Sequence, residues 1–397
     1  MNQNIQNLYQ ISSKSAKTII GLMSGTSFDG LDIALCEFSG SGTDTKIKLR
    51  HFVTMQYTSD FKEELKFVFA KKTADLERIT LLNAFIGTYY GELILQCLRD
   101  WKIEATDVDI IASHGQTIFH APKHLHSVAG YPNATLQIGD ADHLAVKTGI
   151  ITLSDFRQKH IAAGGEGAPL ALYGDYLIFS DPVENRIMLN IGGIANFTFL
   201  PAGQQGGCFS TDVGPGNTLM DQYVQLKFPG RYYDKNAEIS SAGTVNEALL
   251  KALLDHPFFD APFPKTTGPE LFSMAYLLNA ISKSGQPDIS DQDVMATLAL
   301  FSAQGIIHAI TKCISNQKPY QIYLSGGGMY NPVLVRHLEE RLGIELRSTE
   351  TLGIYPDAKE AVLFALLANE ALTGGKTNFG TLKNVPSVSM GKVSFPY

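Results

Sequence analysis

Short apolar runs alternate with helix-like segments along most of this 397-residue chain. Short apolar runs bounded by Gly, Pro or Asn predict buried strands, and apolar residues recurring every three or four positions predict helices. We predict strands at residues 18–22, 31–38, 109–113, 150–154, 187–191, 196–200, 208–212 and 321–325. We predict helices at residues 74–100, 245–256, 291–313 and 332–342. Strands that alternate with helices indicate a layered α/β fold.

One sequence pattern occurs twice. TIIGLMSGTSFDGLDIALCEF near the N-terminus and RIMLNIGGIANFTFLPAG near the middle are both an apolar strand, a Gly-rich turn and a second apolar strand. A duplicated domain would explain the repeat, and the two hairpins could then present backbone N–H groups to a polyphosphate across a cleft. Two unrelated hairpins would give the same pattern, because Gly-rich hairpins are common. The hairpins alone leave both interpretations open.

Composition narrows the class of protein. With 44% hydrophobic and 18% charged residues, the chain is neither disordered, collagen-like nor a coiled coil. The net charge of −7 and the lack of a basic run disfavour nucleic acid as a partner. The four cysteines show no C-x-x-C spacing, which favours a reducing, cytoplasmic compartment. The polar N-terminus and the shortness of the apolar runs predict neither an export signal nor a membrane anchor.

The turn GTSFDG at residues 25–30 combines glycines, hydroxyls and a carboxylate. Glycine permits close backbone approach to a phosphate, and an acidic group can hold Mg²⁺ through water. The alternative is a plain hairpin loop in which Asp29-Gly30 supplies positive φ angles. The usual nucleotide motifs are missing. Gly375-Lys376-Thr377 resembles the end of a Walker A loop but lacks the earlier glycine, and no G-x-G-x-x-G follows a strand.

Two further Gly-rich segments follow predicted strands. SGGG at residues 325–328 could let a flat ligand such as adenosine lie on the backbone, or it could simply start the next helix. STDVGPGN at residues 210–217 places Asp212 at the end of a strand, where open α/β sheets bind their ligands. Asp212 could act as a general base, although an Asx-type turn before Gly-Pro-Gly is the simpler interpretation.

Polar side chains elsewhere suggest ligand contacts. His114, His120, His124 and His126 invite a metal hypothesis, but their spacing matches no zinc pattern, and His114 suits a substrate contact better. Arg157 follows a strand, and its fork suits a ligand carboxylate, with a surface ion pair as the alternative. Glu360 has capping-box spacing from Asp357, which is sufficient for a structural role but leaves a ligand-facing role open.

Ten segments together resemble the anhydro-N-acetylmuramic acid kinase family. In order they are GLMSGTSFDGLD, SHGQTIFH, LQIGD, SDFRQKHIAAGGEGAPL, LNIGGIANFT, TDVGPGN, PKTTGPELF, LSGGGMYNP, KEAVLFALLA and PSVSMG, and they cover nearly the whole chain from Thr18. The resemblance implies two duplicated RNase H-like domains of the sugar kinase, heat-shock ATPase and actin superfamily, with ATP in a central cleft. It therefore favours the duplication.

The resemblance also implies the reaction. The family's sugar has C1 and O6 joined in an internal acetal, so water must attack C1 while O6 leaves and attacks the γ-phosphate of ATP. The family's base corresponds to Asp212, and Mg²⁺ would neutralise the phosphates, with its direct protein ligands unknown. Expected ATP contacts are Gly25, Thr26, Ser27, Phe28, Asp29, Gly30, Leu31, Asp32, Gly193, Asn196, Gly214, Gly326 and Gly327. Expected sugar contacts are His114, Gln116, Thr117, Arg157 and Glu360.

Departures from the family pattern leave alternatives for the substrate. Phe119 and Pro269 stand where the family usually has arginine, Glu166 replaces a glutamine, and the family form GFDTGPGN reads STDVGPGN here. Losing two arginines could weaken recognition of an anionic sugar. A kinase for a related amino sugar and a degenerate paralogue that senses ATP or an amino sugar are therefore retained as hypotheses. A histidine-based metallohydrolase is a third.

The residues and the resemblance together predict the domain organisation. We expect residues 1–16 to form a loose extension, residues 17–153 with the tail 376–397 to form the first domain, and residues 154–375 to form the second. The expected partner is a small anhydro amino sugar, with no nucleic acid and no membrane, and a homodimer is one option that the sequence leaves open.

Overall fold

A computed structural model of the chain describes residues 2–26, 28–204, 207–314, 319–374 and 385–397. It divides into two compact units. The first unit contains Met1–Ile178 and Ala358–Tyr397, and the second contains Phe179–Asp357.

The described residues form twelve strands and thirteen α-helices. The strands are β1 (Ala16–Ser24), β2 (Gly30–Ser39), β3 (Lys46–Gln56), β4 (Ile110–Ala121), β5 (Ala134–Ile138), β6 (Thr152–Ser154), β7 (Asn185–Ile191), β8 (Ile194–Leu200), β9 (Phe209–Pro215), β10 (Tyr320–Ser325), β11 (Arg347–Ser348) and β12 (Lys392–Ser394). The helices are α1 (Gln3–Ser12), α2 (Ser59–Val68), α3 (Leu76–Trp101), α4 (Lys123–His126), α5 (Ala141–Thr148), α6 (Phe156–Ala162), α7 (Ala171–Phe179), α8 (Thr218–Lys227), α9 (Glu247–Leu254), α10 (Met274–Ser284), α11 (Asp291–Ile314), α12 (Pro332–Leu342) and α13 (Lys359–Thr373).

The sheet of the first unit has the order β12-β6-β4-β1-β2-β3, with β5 paired to β4. Strands β1, β2 and β3 are an antiparallel meander, while β4 runs parallel to β1 and β6 runs parallel to β4. β1 is buried along nearly its whole length, as expected of a central strand covered on both faces. Helix α13 packs so closely on β1 that a Cβ atom at Gly21 would lie 1.9 Å from the carbonyl oxygen of Ala361.

The sheet of the second unit has the order β11-β10-β7-β8-β9. Strands β7, β8 and β9 form an antiparallel meander, β10 runs parallel to β7, and β11 runs parallel to β10. Apart from β5 and β12, which have no counterpart in the second sheet, this is the order and direction of the first sheet. In each unit the repeated hairpin supplies the first two strands. The α/β class is thereby confirmed, and the two units share the topology that a duplication produces.

Helix α11 is the core helix of the second unit. It is long and apolar enough to cross a membrane, but 72% of its most apolar window is buried inside the protein. Its buried side chains pack against the sheet and helices of that unit in one continuous core. Apolarity on all sides is expected for a helix enclosed by its own protein.

The sequence predicted a loose extension at residues 1–16, but part of this segment is helical. The segment contains α1, which is capped by the side chain of Asn2 and followed by an ion pair between Lys14 and Asp109. The side chain of Asn4 also donates a hydrogen bond to the carbonyl oxygen of Tyr397. Ile5, Leu8 and Tyr9 of α1 recur at three- and four-residue spacing, the pattern of an amphipathic helix. No α1 side chain among the described residues is buried, so the helix lies on the surface of its unit.

The unit boundaries also differ from the predicted domain boundaries after residues 153 and 375. Residues 154–178 and α13 lie in the first unit. Arg157, in residues 154–178, donates a hydrogen bond to His114 of β4, and α13 packs on β1. These long-range contacts place both segments in the first unit. Strand β12 of the tail pairs with β6, in the unit to which the tail was assigned. The Walker-like residues 375–377 lie outside the described residues.

Candidate active site

Three Gly-containing turns lie together at the carboxyl ends of strands β7, β9 and β10 in the second sheet. Strands β7, β9 and β10 point in the same direction, so the turns that follow them lie at the same end. The amide of Gly216 donates to the carbonyl oxygen of Gly193 at 2.9 Å, and the amide of Asn217 donates to that of Gly192 at 2.8 Å. Gly326, with a φ angle of +80°, lies against the turn after β7, where a Cβ would be 2.4 Å from Asn190 Oδ1.

The glycines of these turns have two different roles. A Cβ at Gly193 or Gly327 would meet nothing closer than 3.8 Å, so both expose open backbone on which a flat ligand can lie. Gly216 is a packing glycine instead, since a Cβ there would lie 2.2 Å from the carbonyl oxygen of Gly192. Gly214, a predicted ATP contact, has a φ angle of +146° and its Cβ position faces the Phe259 ring at 3.3 Å, so backbone geometry and core packing account for it.

A row of three polar side chains crosses this end of the sheet. Asn190, Asn196 and Asp212 are register partners on β7, β8 and β9, so their side chains project from the same face. Each is partly exposed, whereas most of the neighbouring side chains on these strands are buried. Asn190 was not among the sequence candidates. The signal was present, because it is the polar residue of the otherwise apolar run IMLNI.

Asp212 is held by the segment 265–267, which runs alongside β9. The backbone amide of Asp212 donates to the carbonyl oxygen of Lys265 at 3.0 Å, and its Oδ2 accepts from the amide of Thr267 at 2.9 Å. Burial raises the pKa of Asp212 to about 6, the Thr267 N–H opposes the rise, and the Glu270 charge adds to it. A positioned carboxylate with a pKa near neutrality suits a general base.

The hairpin turn of the first unit divides into buried and exposed residues. Phe28, with a φ angle of +58°, packs edge-on against Phe69 at a centroid distance of 5.0 Å, and Leu31 is fully buried. The side chains of these two predicted ATP contacts therefore belong to the core, which leaves only their backbone for a ligand. Thr26 and Asp29 are exposed.

Three further residues of that hairpin were predicted as ATP contacts. A Cβ at Gly30 would lie 2.5 Å from the carbonyl oxygen of Met55, so pairing with β3 requires a glycine there. Asp32 accepts a hydrogen bond from the hydroxyl of Thr54 at 2.6 Å. Ser27 lies outside the described residues.

A buried hydrogen-bond chain supports the turn from behind. The hydroxyl of Tyr57 donates to Ser24 Oγ at 2.7 Å, and Ser24 donates to Gln116 Oε1. Gln116 Nε2 in turn donates to the carbonyl oxygen of Gly25 at 3.3 Å. Gln116, a predicted sugar contact, is fully buried, so the structure places it behind the turn rather than at an exposed surface.

Arg157 and His114 form the polar centre of the first unit. Arg157 Nε donates to His114 Nε2 at 2.9 Å, and Nη1 donates to the carbonyl oxygen of Gly167 at 2.8 Å. Glu360 lies in the first turn of α13. Desolvation by the surrounding protein raises the pKa of its carboxyl group, although the charges of Arg157 and Lys359 act in the opposite direction. The Glu360 charge in turn acts to raise the pKa of Arg157, against the lowering by burial.

Two other sequence candidates make hydrogen bonds of their own. Thr117 Oγ1 accepts a hydrogen bond from Gln137 Nε2 at 3.2 Å. His126 accepts at Nδ1 from the amide of Val128 and approaches the carbonyl oxygen of Pro132 with Nε2 at 3.0 Å. Within the described ranges, His, Cys, Asp and Glu side chains form no group of three that could hold a metal ion.

Comparisons with known proteins agree on one family. Residues 17–386 match the family described as anhydro-N-acetylmuramic acid kinase. Over the whole length of both chains, this chain is 54% identical to a protein of that name from Pseudoalteromonas atlantica and 50% identical to one from Pseudoalteromonas translucida. It is 36% identical to one from Caldanaerobacter subterraneus, across 98% of this chain and 99% of that protein.

Proposed function

Because this chain belongs to the anhydro-N-acetylmuramic acid kinase family, we propose that it opens the 1,6-anhydro ring of this sugar with water and phosphorylates O6. The product is N-acetylmuramic acid 6-phosphate, formed from ATP in the recycling of cell-wall sugars. The observation that carries the mechanism is Asp212, a positioned carboxylate with a pKa of about 6 at the ligand-binding end of a sheet.

The chemistry needs one proton acceptor. Water forms a bond to C1, the C1–O6 bond breaks, and O6 attacks the γ-phosphorus as ADP leaves. Asp212 takes the proton from the attacking water, so that the oxygen reaching C1 carries hydroxide character. Because O6 does not exist as a free hydroxyl before the ring opens, activating the water is the step that makes the phosphoryl acceptor.

Each unit offers groups suited to part of the chemistry. In the second unit, the open backbone of Gly193 and Gly327 suits a nucleotide. In the first unit, the exposed Thr26 and Asp29 suit phosphate groups. Mg²⁺ would bind mainly through the phosphates, with the Asp29 carboxylate as a hard oxygen group able to hold it through water. The fork of Arg157 suits the lactyl carboxylate of the sugar.

The reaction can be tested with enzyme, Mg-ATP and the anhydro sugar in H₂¹⁸O. We expect ADP and sugar 6-phosphate in equal amounts, with one ¹⁸O atom at C1. A product without solvent oxygen would contradict the hydrolytic mechanism, and turnover of only a related amino sugar would change the substrate. Calorimetric binding of ATP or sugar without turnover would favour the degenerate, ligand-sensing alternative to which the departures at Phe119 and Pro269 pointed.

The pH dependence of kcat/KM should follow Asp212. A general base must be ionised, so activity should fall as the pH decreases through about 6, and it should do so as a single-proton limb. Replacing Glu270 with Gln removes a negative charge that raises the pKa of Asp212, so the limb should move to lower pH. A limb that stays in place in E270Q, measured with coupling enzymes in excess, would show that another group titrates.

The cellular setting follows from the same premise. We propose a cytoplasmic enzyme, because ATP and the recycled sugar are used there. The proposal includes no nucleic acid or membrane partner. A homodimer is one option that the sequence leaves open, and sedimentation analysis can test it.

A further inference from the structure

We propose that His114 is a positioning residue, a neutral hydrogen-bond acceptor that keeps Arg157 oriented for the carboxylate of an anionic sugar. The proposal rests on the function given above, since it concerns recognition of that sugar. It differs from the sequence expectation, which made His114 itself a sugar contact.

The burial of His114 argues against a direct ligand contact. The residue is 4% exposed, and its ring packs on Phe364 of α13 at a centroid distance of 4.7 Å. Arg157, on α6, is more exposed than His114. The guanidinium is therefore the more accessible of the two polar groups for a ligand.

The hydrogen bonds of His114 specify one tautomer. Arginine can only donate, so the 2.9 Å contact from Arg157 Nε requires an unprotonated Nε2 on His114. The remaining ring proton must then lie on Nδ1, where it donates to the carbonyl oxygen of Gly115 at 2.9 Å. Both ring nitrogens are thus in use, which leaves neither for a metal ion.

Electrostatics favours the same state. Burial lowers the pKa of His114 well below its ordinary value, and the Arg157 charge lowers it further, while hydrogen bonds to the backbone oppose the shift. The groups that face the ring are Arg157 from α6, Phe364 from α13, Gly115 from β4 and the Ser24 backbone from β1, and only Arg157 carries charge. A protonated His114 would lose its acceptor and place two cations in contact.

A second histidine secures the other side of the guanidinium. Arg157 Nη1 donates to the carbonyl oxygen of Gly167, and the amide of Gly167 donates to His160 Nδ1 at 2.9 Å. His160 is buried, and burial together with the Arg157 charge lowers its pKa to about 4, so it too is neutral at physiological pH. The loop fits only with glycine above this ring, because a Cβ at Gly165 would lie 2.2 Å from it.

These contacts leave one side of Arg157 available. Within the described part of the chain, Nε and Nη1 have protein acceptors and Nη2 has none. A carboxylate can therefore bind at Nη2 and the outer N–H of Nη1 through two parallel hydrogen bonds, an arrangement that adds geometric specificity. A guanidinium free to rotate would lose orientation, so the histidine contacts lower the conformational cost of binding.

Three variants separate positioning from contact. In H114F the ring still packs on Phe364 but accepts nothing, so KM for the anionic anhydro sugar should rise about tenfold, with little change in kcat or in KM for ATP. In H114Q the amide oxygen can accept from Arg157 Nε, so much of the loss should be recovered. R157M should raise KM at least as much, and H114F/R157M should match R157M alone, because His114 acts through Arg157.

An analogue without the carboxylate, 1,6-anhydro-N-acetylglucosamine, provides the substrate control. Wild type and H114F should use it equally poorly if His114 serves only carboxylate recognition. An H114F variant that loses kcat as well, or that loses as much activity on the analogue as on the acid, would overturn the proposal. Thermal unfolding of each variant checks that the fold is retained.

Nuclear magnetic resonance provides a readout that does not depend on turnover. Long-range ¹⁵N–¹H spectra of the ligand-free wild-type protein should show His114 as the neutral Nδ1–H tautomer at pH 5.5. A charged His114 at that pH, or an Nε2–H tautomer, would overturn the positioning role. Should the enzyme fail to act on the anhydro sugar while this tautomer is present, the fault would lie with the proposed substrate and not with the His114–Arg157 contact.

Discussion

Replacing Asp212 with Asn should reduce turnover by a factor of about 10²–10⁴, the usual contribution of a positioned general base. Asparagine keeps the size of the side chain, and its oxygen can still accept from the Thr267 amide, but it cannot take a proton from water. Nucleotide binding should remain, because the open backbone surfaces of Gly193 and Gly327 are unchanged. Steady-state kinetics and calorimetry with ADP measure the two effects separately.

The fold should tolerate this change well. The pKa of Asp212 is raised in the folded protein, so its ionised form is disfavoured by folding, and a neutral side chain removes that penalty. The D212N variant should therefore unfold at the same temperature as wild type at pH 7, or at a higher one.

Asp221 offers a matched control for D212N. It is another partly buried carboxylate in the same unit, and burial together with the Asp234 charge raises its pKa to about 6. It lies on α8 and has no place in the proposed mechanism, so D221N should keep its turnover. Equal activity of D212N and wild type would remove Asp212 from the role of base, whereas equal losses in both variants would indicate a general effect of neutralising buried acids.

Gly21→Ala, which adds one methyl group, should strongly destabilise the first unit. Gly21 lies in the middle of β1, between Ala34 of β2 and Ala112 of β4, and has no positive φ angle. A Cβ there would lie 1.9 Å from the carbonyl oxygen of Ala361 and 3.0 Å from the Cβ of Ala365. The obstacle is helix backbone, which cannot rotate away, so α13 must shift.

We expect the free energy of unfolding to fall by about 3 kcal/mol or more, the upper end of overpacking costs. Since 1 kcal/mol corresponds to about 2–4 °C for domains of 150–250 residues, Tm should fall by roughly 6–12 °C. Activity should fall too, because α13 carries Glu360 and the Phe364 ring on which His114 packs.

Gly149→Ala is the control for added volume in the same unit. Nothing lies within 4 Å of a Cβ at that position, although its φ angle of +74° disfavours alanine. Its cost should be limited to that conformational preference, about 1 kcal/mol. Urea unfolding of both variants gives the comparison, and a Gly21→Ala protein no less stable than Gly149→Ala would show that α13 does not pack on β1 as described.

The buried strands were predictable because their sequences are almost wholly apolar. All eight predicted strands are present, as are the four predicted helices. Strands β3, β5, β11 and β12 were not predicted, because none of them is a continuous apolar run. In β3, KIKLR alternates charged and apolar residues, which is typical of an edge strand with one face open to solvent. Strands β5, β11 and β12 are short, and β5 pairs with β4 alone.

The candidate site was predictable only in part. Asp212 could be proposed because it ends a strand before a Gly-rich turn, and the structure places it beside Asn190 and Asn196. The distinction between Gly193, which exposes its backbone, and Gly216, which packs on a carbonyl group, could not be made from the letter G. Gln116 and His114 were identified as important, but their burial behind the surface was not visible in the chain order.

The pattern of apolar runs and Gly-rich turns along the sequence thus determined the α/β class, the repeated hairpins and the segments that carry the candidate site residues. Those features depend on neighbours in the chain, through strand and helix periodicity and through the backbone freedom of glycine. Only the tertiary structure decided the pKa of Asp212, the tautomer of His114 and the tolerance of each glycine. These properties depend on atoms contributed by distant residues, such as the Thr267 amide, the Arg157 guanidinium and the Ala361 carbonyl, which folding alone brings into contact.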